Sequence, residues 1–349
     1  MKRLVALIKG TGEVVTREEK VPELKMNEVL IKVHASLISP GTEIGTVKNF
    51  RANPDPKKEA FAFGYANSGE IVKVNGNCKG LKPGMRVAAM GGGAALHASY
   101  ACVPVNLVVP IPENVTYAQA SYACLGATSL QAVRRTIPQL GEYGIILGLG
   151  IVGNLAAQLS MLSGSRVIGW EGIPSRIKTA RKCGIENIAD FKKVDTVEAS
   201  KAFAAPYGAD FAIMAFGGEA TEAFNSVLKC MKVSADGHQM GRIILVGGCK
   251  ISVGGGAASG NVDIRASSRT GAGYHDSAYE YGKDYPDAFV QFTTQRNLRE
   301  IVKLISEKRL KVDPMTTHAM PLEKANVAAD LLVEHPDKAL GIIFEMKHR

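Results

Sequence analysis

The stretch Gly148-Leu149-Gly150-Ile151-Val152-Gly153 has residue types and spacing that could hold a pyrophosphate. It follows the apolar run Tyr143–Leu147 and opens a helical pattern, Asn154–Leu162. In that setting the first glycine permits a tight turn and the second lets the backbone approach an anion. The third lets helix pack on strand, with the helix N-terminus facing the phosphates. A second short strand, Arg166–Trp170, ends at Glu171. A carboxylate there accepts hydrogen bonds from ribose hydroxyls and repels a 2′-phosphate, which favours NAD over NADP. Arg176 follows and could meet such a phosphate instead. Gly217-Gly218 and Gly247-Gly248 come after apolar strands, where they would let the backbone approach the nicotinamide half. An ordinary glycine-rich turn with a solvated glutamate would also contain these residues. The order strand, glycines, helix, strand, acid is what selects the dinucleotide site.

The elements that must position these residues alternate. Strand Tyr143–Leu147, helix Val152–Leu162, strand Arg166–Trp170 and helix Ser175–Cys183 come first. Strand Asp210–Ala215, helix Ala220–Met231 and strand Arg242–Val246 follow. Such alternation calls for right-handed crossovers and a parallel sheet. Gly247–Gly260 is glycine-rich and predicts a loop. Upstream the chain is β-rich, with a first strand at Met1–Lys9, then Val29–Ala35, Gly69–Val74, Met85–Met90, Tyr100–Pro104 and Leu107–Pro110. The period turns helical from Tyr117 to Arg135. Amphipathic helices at Asn297–Lys308 and Pro321–Glu334 and a closing strand at Ala339–Glu345 complete the pattern. A β-rich start, a doubly wound middle and a mixed tail suggest that the tail folds back onto the first segment.

A chain of 349 residues, 46% hydrophobic and 21% charged, is ordinary for a two-domain globular protein. No uninterrupted apolar run is long enough to span a membrane, and the N-terminal apolar stretch is too short for a signal peptide. The net charge of +9 comes from scattered basic residues rather than a concentrated face, which argues against a nucleic-acid partner. The six cysteines are widely spaced with no CxxC, arguing against a disulfide framework and for the reducing cytoplasm.

Several further segments resemble one family. Glu28–Val33 is similar to a first long strand, Ser39-Pro40-Gly41-Thr42-Glu43 to a Cys-Gly-Thr-Asp segment, and Gly64-Tyr65-Ala66 to a Gly-His-Glu segment. Lys82-Pro83-Gly84-Met85-Arg86-Val87 matches a Pro-Gly-Asp-Arg-Val turn. Val312-Asp313-Pro314 through Pro321-Leu322 resembles the segment that re-enters the first domain. The family is the medium-chain dehydrogenase/reductases, which contains zinc alcohol dehydrogenases and quinone reductases. The resemblance implies an α/β protein with a GroES-like β-rich catalytic domain at 1–122 and 275–349. A Rossmann doubly wound parallel sheet at 123–274 would complete it. Leu125-Gly126-Ala127, Gly273-Tyr274-His275-Asp276, Asp284-Tyr285-Pro286 and Gln295-Arg296-Asn297 resemble a zinc-free subgroup found in sugar, polysaccharide and cyclitol metabolism. The bacteriochlorophyllide dehydrogenases share the Ser-Pro-Gly-Thr-Glu feature.

The departures from the family pattern carry as much weight. Pro40 stands where the family has a cysteine ligand to catalytic zinc, Tyr65 where it has a histidine, and Ala66 where it has a glutamate. Cys124 alone falls near a third ligand position, and the four-cysteine structural zinc loop is missing. Three protein ligands are needed, so the expectation is no metal. Moving a hydride to or from an alcohol carbon also requires moving a proton. The resemblance turns Tyr65 toward the abandoned metal pocket, makes Thr42 the proton-relay hydroxyl, and makes Glu43 an acid that could orient Tyr65. Each has a plainer alternative: a core aromatic, a helix cap, a salt-bridge partner. His97 would lie at the mouth of the cleft as a secondary candidate. Tyr274 and His275 could reach the substrate or form a surface loop. His318 falls in what looks like a buried return strand, with no chemistry assigned.

The expectation is a cytoplasmic, zinc-independent, NAD-dependent oxidoreductase. It would interconvert a secondary alcohol and a ketone on a polyol, sugar or cyclitol. Its partner would be that small molecule, with no nucleic acid and no membrane. Family likeness implies a homodimer or homotetramer through the edge of the nucleotide-binding sheet. The alternatives are an NADPH-dependent quinone or enone reductase and a non-catalytic nucleotide-binding sensor.

Overall fold

Six short runs between residues 143 and 267 form a parallel sheet. In sheet order they are Ile188–Asp190, Arg166–Glu171, Tyr143–Leu147, Phe211–Met214, Met240–Val246 and Asn261–Ser267. The structure, a computed structural model, describes residues 1–254 and 256–348. These divide into two units, Met1–Ala127 with Thr270–Arg349, and Thr128–Arg269. The division falls inside the helix Ala123–Thr136. In the second unit chain order reverses between Tyr143–Leu147 and Phe211–Met214. That reversal is the switch point of a doubly wound sheet, where a crevice opens at the carboxyl ends of the strands. The central strands are apolar on both faces because helices cover both. Ile145, Leu147, Ile168, Met214 and Ile243 pack with Phe224 and Val227 of the helix Thr221–Leu228. Trp170 is buried there, its indole N–H donating to Ser200 Oγ at 2.9 Å.

The first unit carries a seven-stranded sheet. In order its path runs Thr316–Pro321, Gly341–Glu345, Glu28–Leu37, Ala66–Asn75, Arg86–Met90 and Val108–Pro110, and Tyr100–Pro104 pairs with Glu28–Leu37. A smaller sheet joins Val14–Lys20, Lys2–Ile8 and Phe61–Ala62. The tail does fold back: Ile343 pairs with Leu37 and Phe344 with Ser36. Pairing of Glu28–Leu37 with Ala66–Asn75 shifts register between Val33 and Ala35, then resumes with Ser36 opposite Asn67. An irregularity of this kind re-aims the side chains that follow it. Here it lays Ser36 beside Ala66.

Several elements differ from the sequence pattern. The helix expected over Tyr117–Arg135 is two, Tyr117–Ala120 and Ala123–Thr136. The first is closed by a capping box between Thr116 and Gln119. The loop expected over Gly247–Gly260 contains a short strand, Cys249–Lys250, and a 3-10 turn, Gly256–Ser259; its residue 255 lies outside the described residues. His318 is on a strand but half-exposed rather than buried, because Thr316–Pro321 is the edge of its sheet. Among the described residues no helix is long and apolar enough to cross a membrane. Among the described residues no two of the six cysteines are joined in a disulfide.

Candidate functional site

Two clusters collect the residues singled out by sequence, one in each unit. In the second unit, Gly148 leaves the strand with φ of 81°, a left-handed conformation that suits glycine. A β-carbon on Gly153 would stand 1.7 Å from the Gly148 carbonyl oxygen, so the helix Ile151–Leu162 can start this close only with glycine there. Gly150 is the N-cap of that helix, and a β-carbon on it would meet nothing within 4 Å. The open space above Gly150, beside the first unpaired N–H groups of the helix, is a cradle that fits a pyrophosphate. Leu149 and Ile151 are buried, Val152 half-buried.

Glu171 is buried at the end of its strand, and its carboxylate folds back on the glycine turn. Oε2 accepts from the Leu149 N–H at 3.0 Å, and Oε1 from the N–H groups of Gly172 (2.8 Å) and Ile173 (3.0 Å). The Arg176 guanidinium lies 3.9 Å from Oε2. Glu171 therefore braces the turn, a role that its sequence position does not reveal. Gly217-Gly218 and Gly247-Gly248 come together: Gly218 N–H donates to the Gly248 carbonyl, and Gly218–Glu219 pairs in parallel with Cys249–Lys250. A groove of about 800 Å³ in this unit, lined by Lys178, Arg181 and Lys193 among others, includes none of these residues.

In the first unit, Tyr65, Thr42, Ser39, Glu43 and Cys124 converge. The helix Thr42–Ala52 begins at Thr42 with Gly41 as N-cap and no side-chain cap, so Thr42 is not the capping hydroxyl. Instead the hydroxyls of Thr42 and Ser39 face the Tyr65 phenol. Glu43, in the first helical turn where a carboxylate is favoured, accepts the Ser39 N–H at 2.7 Å. Burial, the Glu43 carboxylate and Cys124 together push the Tyr65 phenol well above its ordinary range. Burial, then Glu43, does the same to the Cys124 thiol. Both groups are held neutral, with Thr42 exposed beside them.

His97 corrects an expectation. The family likeness put it at the mouth of a cleft, but it has no exposed surface. Its ring sits edge-on to Phe63 and Phe344, at 4.8 and 5.1 Å between centroids. Its Nδ1 lies 2.5 Å from Ser36 Oγ, and its Nε2 lies 3.2 Å from Glu43 Oε1. With both nitrogens occupied, it has nothing to offer a substrate directly. The sequence does not single out Ser36 or Ser39 as candidates; Ser39 opens the Ser-Pro-Gly-Thr-Glu segment, whereas Ser36 reads only as strand interior. Tyr274 accepts the Gly92 N–H at 2.8 Å and stacks on His275 at 3.9 Å.

The donor set around Tyr65 does not suit zinc. Pro40 and Tyr65 bring neither thiolate nor imidazole, and burial disfavours the Cys124 thiol as an anion. Among the described residues no three His, Cys, Asp or Glu side chains converge as metal ligands.

Comparison with known proteins agrees with this architecture. Residues 25–113 match the family model described as an alcohol dehydrogenase GroES-like domain, and residues 152–277 the one described as a zinc-binding dehydrogenase. Sorbitol dehydrogenase of Ovis aries is 23% identical over 98% of this chain and 95% of its own length. An NADPH-dependent alkenal/one oxidoreductase of Arabidopsis thaliana is 30% identical over 50% of this chain and 47% of its own. In structure, an Escherichia coli oxidoreductase/dehydrogenase of unknown specificity superposes with a TM-score of 0.82 at 19% identity, covering 100% of both chains.

Proposed function

The chain belongs to the medium-chain dehydrogenase/reductase superfamily and is an alcohol dehydrogenase/reductase of that type; within it, we propose a zinc-independent, NAD-dependent enzyme. It interconverts a secondary alcohol and a ketone on a polyol, sugar or cyclitol. The observation that carries this reading is the cluster where the family keeps zinc. Tyr65, Thr42 and Ser39 there present hydroxyls in place of metal ligands, with Tyr65 held neutral as a proton donor. The polyol class follows from the likeness to sorbitol dehydrogenase.

The dinucleotide would be held by the turn Gly148–Gly153, with Gly150 against the pyrophosphate and Gly217 and Gly247 near the nicotinamide half. When bound it supplies the hydride acceptor or donor. The residues of this chain handle the proton: Tyr65 gives it to the carbonyl oxygen, and Thr42 relays between Tyr65 and solvent. A carboxylate at Glu171 supports NAD, because a 2′-phosphate would meet an anion already fixed by three N–H groups. Arg176, 3.9 Å away, is what favours the second reading, an NADPH-dependent enone reductase such as the Arabidopsis relative's name describes. A non-catalytic nucleotide sensor is the third. The strand Asn261–Ser267 pairs on one side only, and we place the dimer contact on that free edge and the protein in the cytoplasm.

The deciding experiment titrates NADH and NADPH separately against metal-stripped protein, reading quenching of Trp170, the only tryptophan. A screen of polyols and cyclitols with the preferred cofactor then follows. Tighter NADH binding and turnover without metal is the expected result. Preference for NADPH moves the assignment to the enone reductase, and binding without turnover of any alcohol to the sensor.

A further inference from the structure

The reading of Tyr65 as proton donor, with Thr42 relaying to solvent, leaves open whether a proton is also held in reserve beside them, and three neighbouring buried groups bear on that. Ser36, His97 and Glu43 form a continuous polar chain with almost no exposed surface. Ser36 Oγ donates its hydrogen to the Ala66 carbonyl at 2.9 Å. A hydroxyl has one hydrogen, so toward His97 Nδ1, 2.5 Å away, Ser36 offers only a lone pair. Nδ1 must therefore carry a hydrogen of its own.

The other side of the ring then decides the charge. Nε2 lies 3.2 Å from Oε1 and 3.3 Å from Oε2 of Glu43. A bare Nε2 would set its lone pair against two carboxylate oxygens in a site closed to water, where such contacts are costly. One proton between Nε2 and Glu43 removes the conflict, whether written as imidazolium and carboxylate or as imidazole and carboxylic acid. The other groups packed on the pair bring no charge: Phe63 and Phe344 flank the ring, and Tyr65 and Cys124 are neutral. Glu43 Oε1 has no hydrogen-bond partner, and Oε2 has the Ser39 N–H.

We infer that Ser36 fixes His97 with its hydrogen on Nδ1, so that the Glu43–His97 pair stores one extra proton beside Tyr65, next to Ser39, whose N–H binds Glu43 Oε2 and whose hydroxyl faces the phenol. Ser36 is then a positioning residue for the acid–base step; this consequence rests on the Tyr65 reading above. In carbonyl reduction the carbon takes a hydride from the reduced nicotinamide, and the oxygen takes the phenol proton of Tyr65. The stored proton returns to the phenolate oxygen, leaving neutral His97 and a Glu43 carboxylate until a proton re-enters from the solvent side, where Thr42 is exposed. In alcohol oxidation each transfer runs backwards.

Long-range proton–nitrogen correlation spectra of protein labelled at its seven histidines read the ring nitrogens directly, with His97→Gln assigning the signal. Expected are protonated-type shifts for Nδ1 and a protonated or shared-proton shift for Nε2. An unprotonated Nδ1 overturns the inference, since Ser36 would then be donating to it. In Glu43→Gln the amide donates to Nε2, and Nε2 alone should become bare; a protonated Nε2 there also overturns it. In Ser36→Ala the hydrogen should move to Nε2, and kcat for reduction should fall about tenfold at alkaline pH, the effect of one lost hydrogen bond, and recover on acidification, whereas a loss uniform with pH counts against the store. The spectra hold whatever Tyr65 does. Turnover surviving Tyr65→Phe overturns the Tyr65 reading and not the proton assignment.

Discussion

Gly153 faces the carbonyl of Gly148 so closely that a β-carbon on it would lie 1.7 Å from that oxygen, while one on Gly150, between them, would lie in open space. Two glycines of one motif thus answer to different demands. Gly153 is required by the fold itself, whereas no neighbour of Gly150 in the fold requires glycine there.

Alanine at these two positions separates the demands. Gly153→Ala should destabilise the protein by about 1–3 kcal/mol, the usual cost of overpacking against backbone, and lower the denaturant midpoint. Gly150→Ala should leave stability within about 0.5 kcal/mol of wild type, as for a substitution that meets no neighbour, yet weaken NADH binding read from Trp170. Unchanged NADH affinity in Gly150→Ala would remove the pyrophosphate from this turn.

Glu171→Ala tests the brace and the cofactor choice together. Orphaning the N–H groups of Leu149, Gly172 and Ile173 should cost about 1–3 kcal/mol of stability. With the anion gone and Arg176 left nearby, the preference for NADH over NADPH should shrink or invert. A preference that stays as it was means discrimination is made elsewhere.

Tyr65→Phe should lower kcat about 100- to 10,000-fold, the span of a lost general acid, with NADH affinity unchanged. It also has a stability signature. Tyr65 ionises less readily in the folded protein than in the unfolded chain, where a phenol loses its proton near pH 10. Above about pH 10 the unfolded state therefore binds fewer protons than the folded one, and stability falls as pH rises. Tyr65→Phe should flatten that alkaline decline, measured by thermal melting against pH. An unaltered slope would put the phenol in a less buried setting.

The Cys124 thiol, pushed up by burial and by Glu43, should be inert to alkylating reagents in the folded protein and react only on unfolding. Exhaustive chelation should leave turnover unchanged, and added zinc should not raise it. Rapid Cys124 alkylation, or activity restored by zinc, would reopen the site to a metal.

The doubly wound unit is legible in the sequence because its signals are local. Strand Tyr143–Leu147 has its expected bounds, and the helix after the glycines begins at Ile151 rather than Val152. Asn261–Ser267 is not marked as a strand by its residues: it lies beside only one strand, so its mixture of polar and apolar residues carries little of the apolar run that marks the buried strands. Near Tyr65, the sequence supplies the departures at Pro40 and Tyr65 and the nearness of Thr42 and Glu43 along one helical turn. Ser36, sixty-one positions from His97, carries no such sign.

By itself the sequence determined the alternating strands and helices, the glycine turn and the replacement of ligand residues, since each depends on neighbours a few positions apart. Tertiary structure alone decided that Glu171 turns back onto the Leu149 N–H, that His97 is buried between two aromatic rings, and that Ser36 completes its hydrogen bonding. These depend on strand register and on which buried donor meets which acceptor. Residues far apart in the chain acquire such partners only when the sheet and helix are packed.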